Sequence, residues 1–239
     1  MHRTVALAAL LLAGCASPLA VPTPDVLLLG EQHDAAEHQQ LHRHVIQRLA
    51  AQGSLAALAL EMAEQGASTA GLPADASESA VRAALRWDEH AWSWQAYGPA
   101  VMAAIAAGVP VVGANLPRPS LRAVMADAAL DSLLPGPALK AQQQAVRLGH
   151  CGLLPEAQIG PMTRVQIARD RAMAQTLVQA AVAGKTAVLL AGAAHVDPAL
   201  GVPRHLPPSL RVDSRTHAPQ PPKKDYCEDL RRQMIRRAS

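Results

Sequence analysis

Four short apolar runs, separated by segments with helical patterns, constrain the fold of this sequence more than any other feature. They cover residues 26–29, 55–60, 109–113 and 187–191, and a weaker run covers residues 210–212. Runs of this length are typical of buried strands, and strands that alternate with helices form parallel sheets. The sequence therefore predicts an α/β fold in which a parallel sheet is flanked by helices.

Helical patterns occupy the segments between the predicted strands. The first covers residues 35–52, and Asp34 with Glu37 resembles a capping box at its start. Another covers residues 94–107 and ends at Gly108. Residues 117–184 show helical stretches interrupted by prolines and no strand pattern, which predicts a small helical subdomain inserted there. The α/β domain as a whole is expected to span residues 25–239.

The N-terminus has the pattern of an exported bacterial lipoprotein. Arg3 precedes an apolar run at residues 5–13, which is shorter than the roughly 20 residues that a membrane-spanning helix needs. The sequence Leu-Ala-Gly-Cys at residues 12–15 resembles a lipobox, in which cleavage leaves an acylated cysteine at the new N-terminus. We expect a signal peptide over residues 1–14, acylation of Cys15, for example with palmitate, and a tether over residues 15–24. The mature protein would then be attached to a membrane of the cell envelope, namely the outer membrane on its periplasmic side.

Charge and cysteine content restrict the partners and the compartment. The net charge is only +3, and no stripe of lysine and arginine is interleaved with aromatic residues, so nucleic acid is not an expected partner. The chain has three cysteines. Acylation of Cys15 leaves Cys151 and Cys227, and an oxidising compartment favours a disulfide between them.

Polar residues follow each of the first four predicted strands. In open parallel sheets, ligands bind in the crevice beyond the carboxyl ends of the strands. The sequence therefore predicts a functional cleft at this edge, formed by Glu31, His33, Glu61, Asn115 and His195. Gly30 and Gly192 each precede one of the two histidines by three residues, and glycine permits a sharp turn and a close approach of the backbone.

Two further histidines, His38 and His42, are four residues apart on the first predicted helix and therefore share one face. This spacing is compatible with metal binding. No glutamate lies between them in the manner of zinc proteases, and no third ligand is placed by spacing. We therefore expect them to be surface histidines.

A series of segments resembles the ChaN family of haem-binding lipoproteins, within a wider group that includes Tiki-type and erythromycin-esterase-like proteins. The segments follow one another over residues 25–228. They are Leu-Leu-Gly-Glu-Gln-His at 28–33, Leu-Glu-Met at 60–62, Trp-Ser-Trp-Gln-Ala-Tyr at 92–97, Val-Gly-Ala-Asn-Leu-Pro at 112–117, His-Cys-Gly at 150–152, Ala-Arg-Asp-Arg-Ala-Met at 168–173, Ala-Gly-Ala-Ala-His-Val at 191–196 and Gly-Val-Pro-Arg at 201–204.

The resemblance implies a homodimer that sandwiches haem and a role in iron and haem uptake. It further implies that iron is held by a tyrosine and by a histidine from the partner chain. The sequence has two tyrosines, and Tyr97 lies inside a matching segment whereas Tyr226 lies beside Cys227, so Tyr97 is the expected iron ligand. The haem site is expected to be lined by the strand-end residues: Glu31, His33, Glu61, Asn115 and His195.

Two other functions remain open. Some members of the wider group look like hydrolases that use the same strand-end residues. In that case Glu31 or Glu61 would be the general base, with its pKa raised by burial, while His33 and His195 would orient water, stabilise an oxyanion or hold a divalent metal. The other possibility is an envelope scaffold without catalytic activity. Haem binding without enzymatic activity is the interpretation that the resemblance favours.

Overall fold

The structure, a computed structural model, describes residues 23–238 of the chain. The expected signal peptide, Cys15 and nearly all of the expected tether lie outside the described residues, so lipidation stays a prediction. Within residues 23–238, no helix has both the length and the apolar character that crossing a membrane requires.

Five parallel strands form a single sheet in the order β3-β2-β4-β1-β5. This arrangement confirms the predicted fold class. The strands are β1 (Val26–Glu31), β2 (Leu55–Glu64), β3 (Val111–Asn115), β4 (Thr186–Gly192) and β5 (Val212–Thr216). Every residue of β1 and β4 is buried, which explains why these strands appear in the sequence as continuous apolar runs. β5 lies at an edge and is largely exposed, so its sequence pattern is weak.

Helices cover both faces of the sheet. The α-helices are α1 (Ala36–Ala51), α2 (Glu78–Ala84), α3 (Trp94–Ala106), α4 (Leu121–Ala126), α5 (Gly136–Gly149), α6 (Glu156–Ala180) and α7 (Tyr226–Ala238). Short 3₁₀ helices cover Arg118–Ser120, Ala128–Leu133, Ala193–Val196 and Val202–His205. α1 and α3 agree with the predicted helices to within one residue at each end. The predicted capping box is wrong, because Ala35 is the N-cap of α1 and no side chain caps this end.

Alternation along β1 divides the core into two layers. Leu27 and Leu29 belong to the cluster that α1 and α3 complete, whereas Val26 and Leu28 pack on the opposite face with Met173 of α6. α6 also contacts α4, α5 and the 3₁₀ helix at Ala128–Leu133, so the helical subdomain rests on the sheet through α6. The helical subdomain lies beside the carboxyl ends of the strands, where the polar residues are located.

A disulfide joins Cys151 to Cys227, as the sequence predicts, with Cα atoms 5.6 Å apart and a sequence separation of 76. Cys151 lies just after α5, and Cys227 is in the first turn of α7. The bond therefore attaches the C-terminal helix to the helical subdomain.

Candidate functional site

The sheet topology brings the strand-end residues together. β1 ends at Glu31, β2 carries Glu61, and His195 lies in the 3₁₀ helix that directly follows β4. The order β2-β4-β1 makes these strands neighbours, so their carboxyl ends meet. Glu31, Glu61 and His195 are only 2%, 4% and 8% exposed. Charged groups are buried this deeply only where they have partners.

These partners form what we call the acid–imidazole chain: Asp170, His195, Glu61, His33 and Glu31. Asp170 Oδ1 lies 2.6 Å from His195 Nδ1, and His195 Nε2 lies 3.4 Å from Glu61 Oε1. The other oxygen of Glu61 is 3.7 Å from His33 Nε2, and His33 Nδ1 is 3.0 Å from Glu31 Oε1. Acids and imidazoles alternate, so each histidine is placed between two carboxylates.

The pKa values follow from this alternation. Burial alone would raise the pKa of Glu61, but His195, His33 and the amide of Gly192, which donates at 2.7 Å, lower it to about 2. Burial would lower the pKa of His195, but Glu61 and Asp170 raise it to about 10. For Asp170, burial outweighs His195 and raises the pKa to about 6. At neutral pH, Glu61 is therefore a carboxylate and His195 an imidazolium.

The pKa of Glu31, like that of Glu61, is lowered by its partners. Burial would raise the pKa of Glu31, but hydrogen bonds from His33 and Tyr97, together with the nearby imidazole of His42, lower it. The expectation that burial raises the pKa of a general base at Glu31 or Glu61 is therefore wrong for both carboxylates. Their histidine partners favour the ionised form by more than desolvation disfavours it.

His33 is the member of the acid–imidazole chain that reaches solvent, because its side chain is 38% exposed. Its ring meets that of Trp92 edge-on, with centroids 4.8 Å apart. Burial would lower the pKa of His33, but Glu31 and Glu61 raise it. An imidazole that is anchored by carboxylates and open on one side is suited to contact a ligand.

Of the cavities that border His33 and Glu61, two share one lining residue, Arg169. The first, which we call the α5–α6 cleft, has a volume of about 410 Å³ and is lined mainly by His33, Gln142, His150, Arg169, Asp170 and His195. The second, the Trp92 cavity, has a volume of about 320 Å³ and is lined mainly by Met62, Arg86, Trp92, Asn115, Arg118 and Arg169.

Tyr97 lies beneath these cavities and is 3% exposed. Its hydroxyl donates to Glu31 Oε1 at 2.5 Å, and burial together with Glu31 raises the pKa of the phenol. The oxygen is thus protonated and held by a buried carboxylate. Ligation of iron by Tyr97 stays a prediction, and it requires a different arrangement of this side chain.

Asn115 and the glycines have positioning roles. Asn115 donates to the carbonyl oxygen of Glu61 at 2.9 Å and accepts from the amide of Leu116 at 2.8 Å, so it fixes the backbone at the ends of β2 and β3. A Cβ at Gly192 would lie 2.8 Å from His33 Nε2, and one at Gly30 would lie 2.4 Å from a side-chain carbon of Val196. The predicted close approach is thus present at both glycines.

His38 and His42 share a face of α1, as predicted, but that face is buried. His38 is 3% exposed and His42 is 1% exposed, so the expectation that they are surface histidines is wrong. His38 Nδ1 accepts from the amide of Gln32 at 3.1 Å, and His42 Nδ1 lies 3.3 Å from Glu31 Oε2. They continue the line of Ile46 and Leu49 along α1, which is the pattern that could have indicated burial.

Three residues near the site were not among the sequence candidates: Asp170, Arg169 and His150. The first two lie in the matching segment at residues 168–173, and His150 lies in the one at residues 150–152. His150 is half-buried in the α5–α6 cleft, and its Nδ1 lies 2.8 Å from the carbonyl oxygen of Val146. In residues 23–238, no three His, Cys, Asp or Glu side chains are arranged to hold a metal ion.

Comparison with solved structures identifies similar chains, among them the following two. ChaN of Campylobacter jejuni, whose structure is described as showing cofacial haem binding, is 25% identical, with a TM-score of 0.64 and 81% of each chain covered. The type III effector HopBA1 matches more weakly, with a TM-score of 0.39 and 18% identity over 72% of this chain and 67% of the effector. No protein with a curated description matches the sequence.

The family comparison covers most of the fold and most of the site. The family model described as haem-binding uptake, Tiki superfamily, ChaN matches residues 20–206, which is more than half of the chain. This range includes the acid–imidazole chain, Tyr97 and His150, and it confirms the resemblance carried by the sequence segments. The chain therefore belongs to the ChaN family of the Tiki superfamily.

Proposed function

We propose that the protein binds haem in the α5–α6 cleft and acts in iron and haem uptake. Membership of the ChaN family and the cofacial haem of the similar Campylobacter jejuni protein support this function. The observation within this chain that carries the proposal is His150, an imidazole at the cleft with one nitrogen held and the other available.

His150 fits an iron ligand for a specific reason. A donor N–H at Nδ1 satisfies the carbonyl oxygen of Val146 at 2.8 Å, and this tautomer leaves the lone pair on Nε2. Histidines that ligate metals usually donate their other ring nitrogen in this way, because the bond fixes both the tautomer and the orientation of the ring. The disulfide at Cys151 further restrains the position of His150. When bound at this position, haem would supply redox-active iron, and His150 would hold it.

The surroundings of His150 also suit a flat apolar ligand. Leu148 of α5 is 70% exposed although it lies only two residues before His150. Ala145 and Val146 line the α5–α6 cleft, and Trp92, which lines the other cavity, contacts the ring of His33. An exposed leucine on the helix that borders the cleft provides apolar contact area outside the cleft lining. The same leucine is placed to contact a second copy of the chain, and we propose that the dimer forms around haem.

The test is a titration of the purified protein with hemin, followed by absorbance. We expect saturable binding at a simple ratio, together with a shift of the elution volume to that of a dimer. His150→Ala should weaken hemin binding about tenfold or more, because loss of a ligand costs at least as much as loss of its supporting hydrogen bond. His44→Ala is the matched control, because His44 is exposed on α1 and lines neither cavity.

The same titration decides between His150 and Tyr97 as the iron ligand. If Tyr97 holds the iron, the wild-type protein should give a high-spin ferric spectrum with a charge-transfer band, and Tyr97→Phe should remove it. If His150 holds the iron, Tyr97→Phe should leave the spectrum unchanged. Hemin binding by the wild-type protein that is no tighter than binding by an unrelated lipoprotein would overturn the haem function itself.

A hydrolase is the second candidate function, and the acid–imidazole chain is the observation that favours it. His195 is held as an imidazolium between Asp170 and Glu61, so it could stabilise an oxyanion or donate a proton. The lowered pKa values of Glu31 and Glu61 make both carboxylates weak bases, which counts against this function. We therefore place haem binding first.

We further propose that the protein is a lipoprotein anchored to the bacterial outer membrane through Cys15. The lipobox-like segment at residues 12–15 supports this proposal, and each buried methylene of an acyl chain contributes about 0.8 kcal/mol to membrane binding. Cys15→Ser should abolish both acylation and partition into detergent. The intact mass of protein isolated from the envelope measures the outcome, and retention of Met1 in that protein would contradict the anchor.

A further inference from the structure

Arg169 occupies a position between the two cavities of the site. It lies in the middle of α6, directly before Asp170, which belongs to the acid–imidazole chain. Arg169 is a lining residue of both the α5–α6 cleft and the Trp92 cavity. A ligand that enters either cavity therefore meets this guanidinium group.

The guanidinium of Arg169 lacks an acceptor within the described part of the chain. Its Nε atom is buried and has no hydrogen-bond partner there. In Arg164, on the same helix, all three guanidinium nitrogens have acceptors. Its Nε and Nη2 donate to Asp131 at 3.0 and 2.8 Å, and its Nη1 donates to the carbonyl oxygen of Met125 at 3.1 Å. Buried N–H groups are nearly always satisfied in proteins, so an unpaired one at a cavity points to a ligand.

The acidic groups near Arg169 form their hydrogen bonds and ion pairs with other residues, and Arg169 acts on Asp170 only as a nearby charge. Asp170 and Glu61 hold His195, and Glu61 also accepts from the amide of Gly192. In the Trp92 cavity, Asp88 accepts from Arg118 at 2.8 Å, and the amide of Arg118 donates to Glu64 at 3.1 Å. Arg86 donates to the carbonyl oxygen of Gln65 at 3.4 Å. Among the arginines that line the two cavities, Arg169 is therefore the one with a buried Nε that has no acceptor in residues 23–238.

We infer that Arg169 binds a carboxylate group of the ligand. The planar fork of a guanidinium matches the two oxygens of a carboxylate, and such charge-assisted pairs are stronger than neutral hydrogen bonds. This inference rests on the proposed haem function, because haem carries two propionate carboxylates on one edge. Arg169 would hold that edge while His150 faces the iron, so the two residues would fix the orientation of the ring.

The experiment compares porphyrins that differ only in their carboxylates. The full chain is titrated with hemin, with metal-free protoporphyrin IX and with the dimethyl ester of hemin. Arg169→Gln should weaken binding of the first two by roughly tenfold to a hundredfold, the range expected for one charge-assisted bond, and should leave the ester unaffected. Arg169→Lys should give an intermediate loss, because it keeps the charge and loses the fork.

Arg171→Gln is the matched control, since it removes the same charge from an exposed position on the same helix and should change none of the affinities. Arg169→Gln should also leave the melting temperature of the ligand-free protein unchanged, because no acceptor within the described chain is lost. Wild-type-like hemin affinity in Arg169→Gln would overturn this inference alone. Failure of the wild-type protein to bind any of the three porphyrins would overturn the haem function together with it.

Discussion

Replacing Glu61 with glutamine is expected to lower the free energy of unfolding by about 3–5 kcal/mol near pH 6, the usual effect of removing one charge from a buried ion pair. Glu61 lies between His195 and His33, and it is 4% exposed. Glutamine keeps the size of the side chain, so the loss reports on charge rather than on a cavity. Denaturant unfolding measures it.

The loss of stability in Glu61→Gln is expected to depend on pH. The folded-state pKa of Glu61, about 2, lies below its ordinary value of 4.5, so its stabilising contribution is complete above pH 4.5 and is lost as the pH falls towards 2. The folded-state pKa of His195, about 10, lies above its ordinary value of 6.5, so its contribution is complete below pH 6.5 and is lost as the pH rises towards 10. The difference between wild type and Glu61→Gln should therefore be largest between pH 4.5 and 6.5.

Glu64→Gln is the control on the same strand. Glu64 is 36% exposed on its side chain, and its ion pair with Arg118 is 3.8 Å long, so this change should cost less than about 1 kcal/mol. A Glu61→Gln variant that is as stable as Glu64→Gln would show that the acid–imidazole chain contributes little to folding. Glu61→Gln also separates the two candidate functions. Hemin binding should survive this substitution, whereas hydrolysis should not.

The fold was predictable because β1 and β4 are buried along their whole length and most of β2 and β3 is buried. β1 and β4 form continuous apolar runs, which are typical of fully buried strands. Because the strands alternate with helices, they are expected to run parallel. The meeting of Glu31, Glu61 and His195 follows from the same reasoning, because carboxyl ends of neighbouring parallel strands share one edge. β5 was only weakly predicted, since an exposed edge strand needs no such run.

What the sequence did not predict depends on contacts between distant elements. Asp170 reaches His195 from α6, and His42 reaches Glu31 from α1, so neither partner follows from local spacing. The pKa of Glu61 was expected to rise on burial and instead falls, because its sign depends on two histidines from other segments. Asp34 was expected to cap α1, but it accepts from the amide of Lys223 at 2.8 Å, a contact across most of the chain.

The contacts of Asp34 belong to a segment that crosses the start of α1. The amide of Gln220 donates to the side chain of Gln32 at 3.1 Å, and the hydroxyl of Tyr226 donates to Asp34 at 2.9 Å. The disulfide at Cys227 attaches the end of this segment to Cys151, beside His150. The bond therefore joins three parts of the structure: the segment, α7 and the helical subdomain.

Removal of this disulfide by the double substitution Cys151→Ser and Cys227→Ser is expected to lower the free energy of unfolding by about 4 kcal/mol, the value that chain entropy predicts for a closed loop of this length. Reductant should destabilise the wild-type protein to the same extent and should leave the double variant unchanged, which makes the variant its own control. Hydrogen exchange locates the effect: the amides of Gln220 and Lys223 should lose protection, while those of β1 should keep it under native conditions. Equal stability of the oxidised and reduced wild-type protein would show that the hydrogen bonds to Gln32 and Asp34 hold the segment without the disulfide.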